Sequence, residues 1–317
     1  MAKIVGNSTN EQSLAIRAAW LHYVGGLTQA AVAKKLGLPS VKTHRLIARA
    51  VADGAVKVAI DGDIIECIEL EAQLCERFGL HTCEVAPDLG EEGLPLRTLG
   101  VAGAAFLQRL LESGSPTTIG IGHGRTLAAA VRQLPRCDAT STRFVSLLGG
   151  LTRNFSANPH DVMHRLAEKT GATAYVMPVP FFANTPHDRE VLLAQKGVRD
   201  VFEMGQRAPL KIVGIGTVAS ETQLVTSGMI EQSEIHEISA AGAAGELLGS
   251  FFSAQGRSLE TTLTARTLAV PCLSGGQDQV VALAGGPDKV AAIRAVLSSG
   301  CLSGLITDEK TAKALMA

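Results

Sequence analysis

Apolar positions divide the chain into a short helical head and a long region where helical and strand-like periods alternate. In the head, residues 12–24 place Leu14, Ala18 and Leu21 about one turn apart before Gly25-Gly26, which predicts a supporting helix. Thr28 suits the N-cap of a second helix, with Val32 and Leu36 at helical spacing and Gly37 as its stop. Pro39-Ser40 start a third. There Thr43, Leu46, Ile47 and Ala50 share one face, and Ser40, Lys42, His44, Arg45 and Arg49 occupy the other. Two short helices joined by a tight turn, the second one basic, make a helix-turn-helix pattern whose donors suit phosphates and base edges. Beyond it Val56, Val58 and Ile60 alternate as a half-buried strand does, either as a small wing or as a lead into the next domain. Residues 64–78 carry Ile68, Leu70, Leu74 and Phe78 among acidic residues. They read either as a connecting helix, within 61–80, or as a core helix of the large domain.

From residue 96 the pattern changes. Helices are expected at 96–114, 125–134, 161–171, 189–197, 289–300 and 308–316, with apolar strands at 117–122, 143–150, 172–180, 211–216, 280–286 and 302–307 between them. Strands that alternate with helices and look buried on both faces predict an α/β fold with a doubly wound, mainly parallel sheet. The expected division is a DNA-binding domain over residues 1–60 and a large α/β domain over residues 61–317.

Charge sharpens that division. Residues 1–60 hold eight Lys/Arg against Glu11 and Asp53, a net of +6, whereas the rest holds 21 basic and 28 acidic side chains, a net of −7. A basic head on an acidic body is what a localised nucleic-acid contact predicts. The six cysteines include no CxxC pair and have no histidine at metal spacing, so they read as reduced thiols. His160 and His164 lie one turn apart without a third ligand and read as surface or structural, so neither a metal nor a cofactor is expected. The start of the chain does not read as a signal peptide and no apolar run approaches the roughly 18 residues of a membrane span. A cytoplasmic location is expected.

Four strand ends carry glycines: GIGHGRT at 120–126, LLGGL at 147–151, GIGT at 214–217 and LAGGPDK at 283–289. Each alone is a common tight turn, but four at equivalent positions point to a pocket at the carboxyl ends of the strands. Gly122 and Gly124 would let backbone N–H groups approach an anion at the start of the helix holding Thr126, and Arg125 adds charge. Pro287 suits a first helical position, which puts Lys289 at the positive end of a helix dipole. A cation there is disfavoured by about 0.3–1 kcal/mol unless an anion is near. Lys289 therefore either reaches into solvent or holds an anionic group. Glu246 is suited to gripping sugar hydroxyls, or it is a solvent-facing helix residue. No GxSxG, HExxH or Walker-type motif is present, and no catalytic pair stands out.

The ordered set TQxxVAxxLG, a basic helix, GIGxGRTL, LLGGL, VGIGT, GAxGE, LAGGxxK and LITDExTAxALM resembles the SorC family of bacterial sugar-responsive transcriptional regulators, over roughly residues 12–316. AIRAAWLHYVGGLTQ with SVKTHRLIARAVADGAVKV looks like the erythritol-catabolism repressors within it. The resemblance implies an N-terminal helix-turn-helix and an effector domain similar to sugar-phosphate isomerases and CoA-transferases, which binds a sugar, polyol or sugar phosphate. It also implies assembly as a homo-oligomer, a dimer or tetramer, on operator DNA. Carried over, the anion-binding loop falls on Gly122, Gly124, Arg125 and Thr126, and the second loop on Gly149 and Gly150 with Arg153 beyond. The hydroxyl-gripping carboxylate falls on Glu246, where many relatives have Asp, and the effector-contacting lysine on Lys289. His123 replaces a common large aromatic, and Thr43 a common Val. Lys42, His44 and Arg45 would read the major groove, supported by Thr28, Gln29, Ser40 and Arg49. The expected function is a regulator controlling a carbohydrate or polyol catabolic operon. The alternatives are a sugar-phosphate isomerase or deaminase with an appended DNA-binding head, and a head that binds protein.

Overall fold

The computed structural model describes residues 5–56, 64–152, 156, 158, 160–219, 222–272 and 279–317. The chain forms two compact units, Met1–Gly62 and Asp63–Ala317.

The first unit holds α1 (Val5–Tyr23), α2 (Gln29–Leu36) and α3 (Ser40–Ala52). Thr28 caps α2 by accepting from the Ala31 amide at 3.2 Å, and Gly37 ends it in the left-handed region with φ 64°. Thr43, Leu46, Ile47 and Ala50 are the buried residues of α3. Leu46, Ile47 and Ala50 pack with Leu21 and Ala15, Ala18 and Ala19 of α1, three small residues that allow a close helix crossing, and with Val32 of α2. The Thr43 hydroxyl is fully buried and donates to the Pro39 carbonyl at 3.2 Å, so the polar replacement leaves no unmet group. Of the strand expected at 56–60, Val58 and Ile60 lie outside the described residues.

The second unit runs α4 (Ile65–Phe78), β1 (Thr82–Ala86), α5 (Leu96–Ser113), β2 (Thr118–Ile121), α6 (Arg125–Gln133), β3 (Arg143–Leu151), α7 (Met163–Thr170), β4 (Thr173–Pro180), α8 (Pro186–Ala194), α9 (Lys196–Gln206), β5 (Leu210–Val213), α10 (Gln223–Thr226), α11 (Gln232–Ala240), β6 (Ala243–Leu247), β7 (Ser250–Ser253), β8 (Ser258–Leu259), β9 (Gln279–Leu283), α12 (Val290–Ser298), β10 (Gly304–Asp308) and α13 (Glu309–Met316). Seven strands form a parallel sheet in the order β1-β10-β9-β5-β2-β3-β4, and β6-β7-β8 form a small antiparallel sheet. Successive residues of the central strands enter opposite cores. Ile212, Val281, Leu283 and Ile306 join Leu99, Leu127 and Phe144 on one face, while Val213, Val280, Ala282 and Leu305 join Leu74, Val296 and Leu315 on the other. Helices cover both faces, which is why the strands read as continuous apolar runs.

Lys211 is the exception inside β5. Its buried ammonium donates to the Gln206 and Ala208 carbonyls at 3.2 and 3.0 Å, beside the negative end of α9. Of the two readings of residues 64–78, the packed one is seen: Cys67, Leu70 and Leu74 of α4 are buried, whereas Ile68 is exposed. The single helix expected at 189–197 is two helices. Thr185 caps α8 through the Asp188 amide at 3.0 Å, and Gln195 turns extended before α9.

Candidate functional site

On leaving β2 the chain steps outward through β3 and β4, then returns to the opposite side of β2 as β5. The order reverses between these two neighbours, and a crevice opens at their carboxyl ends. A cavity of about 50 Å³ lies there, lined by the loop after β2, the loop after β5, β6 and the turn before α12. It brings together Gly124, Arg125, Thr126, Glu246 and Lys289, residues up to 165 positions apart in the chain.

Each is placed by local chemistry. Gly124 precedes α6 with φ 126°, a conformation that favours glycine, and the first residues of α6 line the cavity with it. Arg125 opens α6, lines the cavity and has no hydrogen-bond or ion-pair partner among the described residues. The buried Thr126 hydroxyl donates to the Leu283 carbonyl at 2.8 Å, locking α6 onto β9. Glu246 stands on strand β6, 5 % exposed, and not on a solvent-facing helix. Its backbone bridges Gly216 in both directions, at 2.9 and 3.0 Å, and its carboxylate fills space that a Cβ on Gly216 would occupy. Lys289 sits in a 3₁₀ turn, Pro287–Lys289, ahead of α12, and reaches back into the cavity to donate to the Ile215 carbonyl at 2.5 Å. It does not extend into solvent.

Burial sets the electrostatics. Desolvation pushes the Glu246 carboxyl up to about 7, against the opposing pull of the Gly249 amide at 2.6 Å and of Lys289. Desolvation, with Arg125 nearby, brings the Lys289 ammonium down to about 8, while Glu246 acts the other way. His123 is brought down to about 4, first by desolvation and then by His160. Its Nδ1 lies 2.6 Å from the Asn158 amide nitrogen, and Asn158 Oδ1 accepts from the His160 backbone at 2.9 Å. The amide therefore donates, and His123 is a neutral acceptor at Nδ1. The cavity thus presents two cations, a neutral imidazole and one carboxyl poised between protonation states.

Three of the expected pocket glycines act elsewhere. The Gly122 amide is spent on the Ile212 carbonyl at 2.8 Å, extending the β2–β5 ladder, so it is not free for an anion. Gly149 and Gly150 lie within β3 at a register shift against β4, not in a loop. A Cβ on Gly149 would collide with the Val179 and Pro180 carbonyls, so this glycine serves strand packing. Gly150 touches the cavity only indirectly, through its carbonyl, which accepts from Asn158 at 3.1 Å. Arg153 lies outside the described residues. Sequence reasoning missed Thr217, Thr222, Gln223 and Leu248, which also line the cavity. The GIGT loop pointed to the first of these; no pattern marked Gln223.

In the first unit, Lys42, His44 and Arg45 are exposed on α3 and have no partner among the described residues. Ser40, the first residue of α3, is exposed, as is Thr28, while Gln29 is half-buried at the start of α2. Arg49 is braced instead, to Glu11 at 3.2 Å and Asp53 at 3.5 Å, which ties α3 to α1. The Thr28 oxygen accepts from the Ala31 amide in its cap, which leaves its O–H available to donate. No group of three potential metal ligands occurs among the described residues, and no described helix is long and apolar enough to cross a membrane.

Residues 62–317 match the family described as "Putative sugar-binding domain". The chain is 68% identical to the erythritol catabolism regulatory protein EryD of Brucella abortus, over 96% of this chain and 97% of that protein. It is 30% identical to the transcriptional regulator LsrR of Klebsiella pneumoniae, over 99% and 96%. Among solved structures, the full-length sorbitol operon regulator SorC of Klebsiella pneumoniae superposes with a TM-score of 0.71 at 25% identity, covering 96% of this chain and 98% of that one.

Proposed function

The chain belongs to the SorC family of sugar-binding transcriptional regulators, and from that premise we propose that it controls a polyol catabolic operon in the cytoplasm through a small polyol or sugar-phosphate effector. One observation carries the reading. The same chain holds an unpaired donor face on α3 and, in its other unit, a cavity where Arg125, Lys289 and Glu246 converge. Lys42, His44 and Arg45 enter the major groove, and Ser40, Thr28 and Gln29 add phosphate contacts. Arg49 serves mainly as a brace. In the cavity the α6 amides and Arg125 take the most electron-rich end of the effector, and Glu246 takes hydroxyls. The 68% identity to an erythritol catabolism regulator favours a four-carbon polyol or its phosphate. The protein acts as a homo-oligomer, a dimer or tetramer, on a twofold operator. The isomerase or deaminase alternative finds no support among these relatives, which are regulators.

Fluorescence anisotropy on the chain's own promoter DNA tests this. Affinity is expected to fall steeply with salt, as several phosphate contacts require, and Arg45→Ala is expected to lose binding with the fold intact. Adding the effector is expected to change affinity by about 5- to 150-fold, the range that 1–3 kcal/mol of coupling allows. Indifference to salt, or retained DNA binding in Arg45→Ala, would overturn the DNA-reading assignment. No response to any polyol, sugar or phosphate ester would overturn the effector assignment.

A further inference from the structure

Three buried side-chain atoms have no hydrogen-bond partner among the described residues: Gln223 Nε2, Arg294 Nε and Thr307 Oγ1. Of these residues only Gln223 lines the cavity. Arg294 is already held through its Nη2, which donates to the Ala314 carbonyl at 2.8 Å. A buried donor left unmet is a cost, and native proteins rarely carry one without a use.

The Gln223 side chain does not hold its own segment together. Its backbone carbonyl accepts from the Ser227 amide and hydroxyl at 2.9 and 2.5 Å, and the Thr222 hydroxyl donates to the Thr217 carbonyl at 2.9 Å. These bonds fix α10 and the loop before it without the amide nitrogen of Gln223. Across the same cavity stands Glu246, whose Oε1 accepts from Gly249 and whose other oxygen lies against Gly216. Both side chains line the same small cavity, which puts a single occupant within reach of both. An amide donor and a carboxylate acceptor select opposite partners. A phosphate or carboxylate oxygen satisfies the amide but is repelled by Glu246 whenever that carboxyl is ionised, whereas a hydroxyl accepts from the amide and donates to the carboxylate.

We propose that Gln223 is a specificity-determining residue of this cavity, donating through Nε2 to a hydroxyl oxygen of a small polyol chain that also donates to Glu246. This rests on the reading of the cavity as the effector site. Arg125 and the α6 amides remain for whatever anionic group the same molecule carries.

The test is titration calorimetry on the full chain with erythritol, sorbitol and their phosphates, and then with single-hydroxyl-deleted analogues of whichever binds. Gln223→Leu and Gln223→Met are compared with wild type. Both variants are expected to bind the parent polyol roughly tenfold more weakly, the range of one hydrogen bond lost at a buried site. For one analogue, the one lacking the hydroxyl that Gln223 meets, wild type and variants are expected to bind within about twofold of each other. The melting temperature of the ligand-free variants is expected to stay level or rise, because an unmet polar atom has been removed. Wild-type affinity in both variants would overturn the proposal and leave the effector site standing. An equal loss for the parent and every analogue, with a lowered melting temperature, would show a structural role and overturn it as well. Wild type that binds no member of the panel would overturn both the proposal and the reading beneath it.

Discussion

Glu246 shows how strongly a side chain's chemistry depends on neighbours far away in sequence. The stretch GAAGELLG is rich in alanine and leucine and reads as helix, yet it runs as β6, paired antiparallel with β7, and its backbone bridge to Gly216 leaves room for the carboxylate. That bridge spans 30 residues and no local period reports it. The burial that results has a measurable consequence. The folded protein holds the Glu246 proton up to about pH 7, whereas the unfolded chain releases it near the ordinary carboxyl value of about 4.5. The folded state therefore binds more protons between these values, and the stabilisation present below about 4.5 is lost as pH rises through 7. Thermal midpoints are expected to fall over pH 5–7.5 in wild type and to stay flatter in Glu246→Gln. The difference should be several degrees, since each kcal/mol moves a unit of this size by about 2–4 °C. Parallel pH profiles in the two proteins would show that the carboxyl is not desolvated. Of the expected pocket residues, Gly124 and Arg125 mark a helix start and Lys289 a turn, local features that sequence records, whereas Thr126 and Glu246 are placed by contacts with the distant Leu283 and Gly216. Gln223 left no such trace, for a glutamine on a four-residue helix has no periodicity to betray its direction.

Helices with strong caps were the most readable elements. Thr28, Gly37 and the Thr43–Leu46–Ile47–Ala50 face define α2 and α3 from local information alone. Strands without an apolar run leading into a glycine turn were not readable: β1 (TCEVA), β7 (SFFS) and β8 (SL) went unmarked, whereas β2 and β5, only four residues each, were marked by TTIGIG and KIVGIG. The motif LITDExTA acquires a purpose only at this level. Asp308 ends β10 and caps α13 by accepting from the Thr311 amide at 3.0 Å, and its Oδ2 accepts from the Thr311 hydroxyl at 2.5 Å and the Gly286 amide at 3.2 Å. Thr311 Oγ1 lies 2.7 Å from the same amide, and the Gly286 carbonyl accepts from Lys289 N at 3.0 Å. One buried carboxylate thereby clamps the turn that aims Lys289 into the cavity. Asp308→Ala is expected to cost about 1–3 kcal/mol, the loss of a cap plus a less well satisfied buried amide, and to weaken effector binding several-fold. Asp308→Asn, which retains a capping oxygen, is expected to lose less on both counts. Melting curves paired with calorimetry separate the outcomes, and an alanine variant that loses stability but binds normally would show that the clamp does not position Lys289.

Two units, Met1–Gly62 and Asp63–Ala317, fold around separate cores, and the charge split of +6 over residues 1–60 against −7 over residues 61–317 falls close to their boundary. What the chain could not reveal on its own is strand order, because which strands become neighbours is settled by non-local packing. The reversal between β2 and β5 is what gathers loops over 160 residues apart into one crevice. The proposed pairing of two copies is likewise hidden from local pattern but has a candidate surface. On α1 and the turn that ends it, Ile16, Trp20, Tyr23 and Val24 follow one another at spacings of four, three and one, and stay 47, 57, 47 and 69% exposed. Contiguous apolar surface on a unit this small marks an interaction face, and a helix-turn-helix reads a palindrome as a symmetric pair. A second copy is therefore its expected occupant, through an isologous contact in which the stripe meets its own counterpart. Trp20→Glu places a charge at the centre of that stripe without touching the buried Ala15, Ala18 and Ala19. In sedimentation velocity the variant is expected to run as a smaller species than wild type, with operator affinity lowered at least tenfold because paired half-sites no longer act together. Its far-UV circular dichroism is expected to match wild type, which distinguishes lost assembly from lost folding. Unchanged sedimentation together with unchanged operator affinity would show that the pairing face lies elsewhere on the protein.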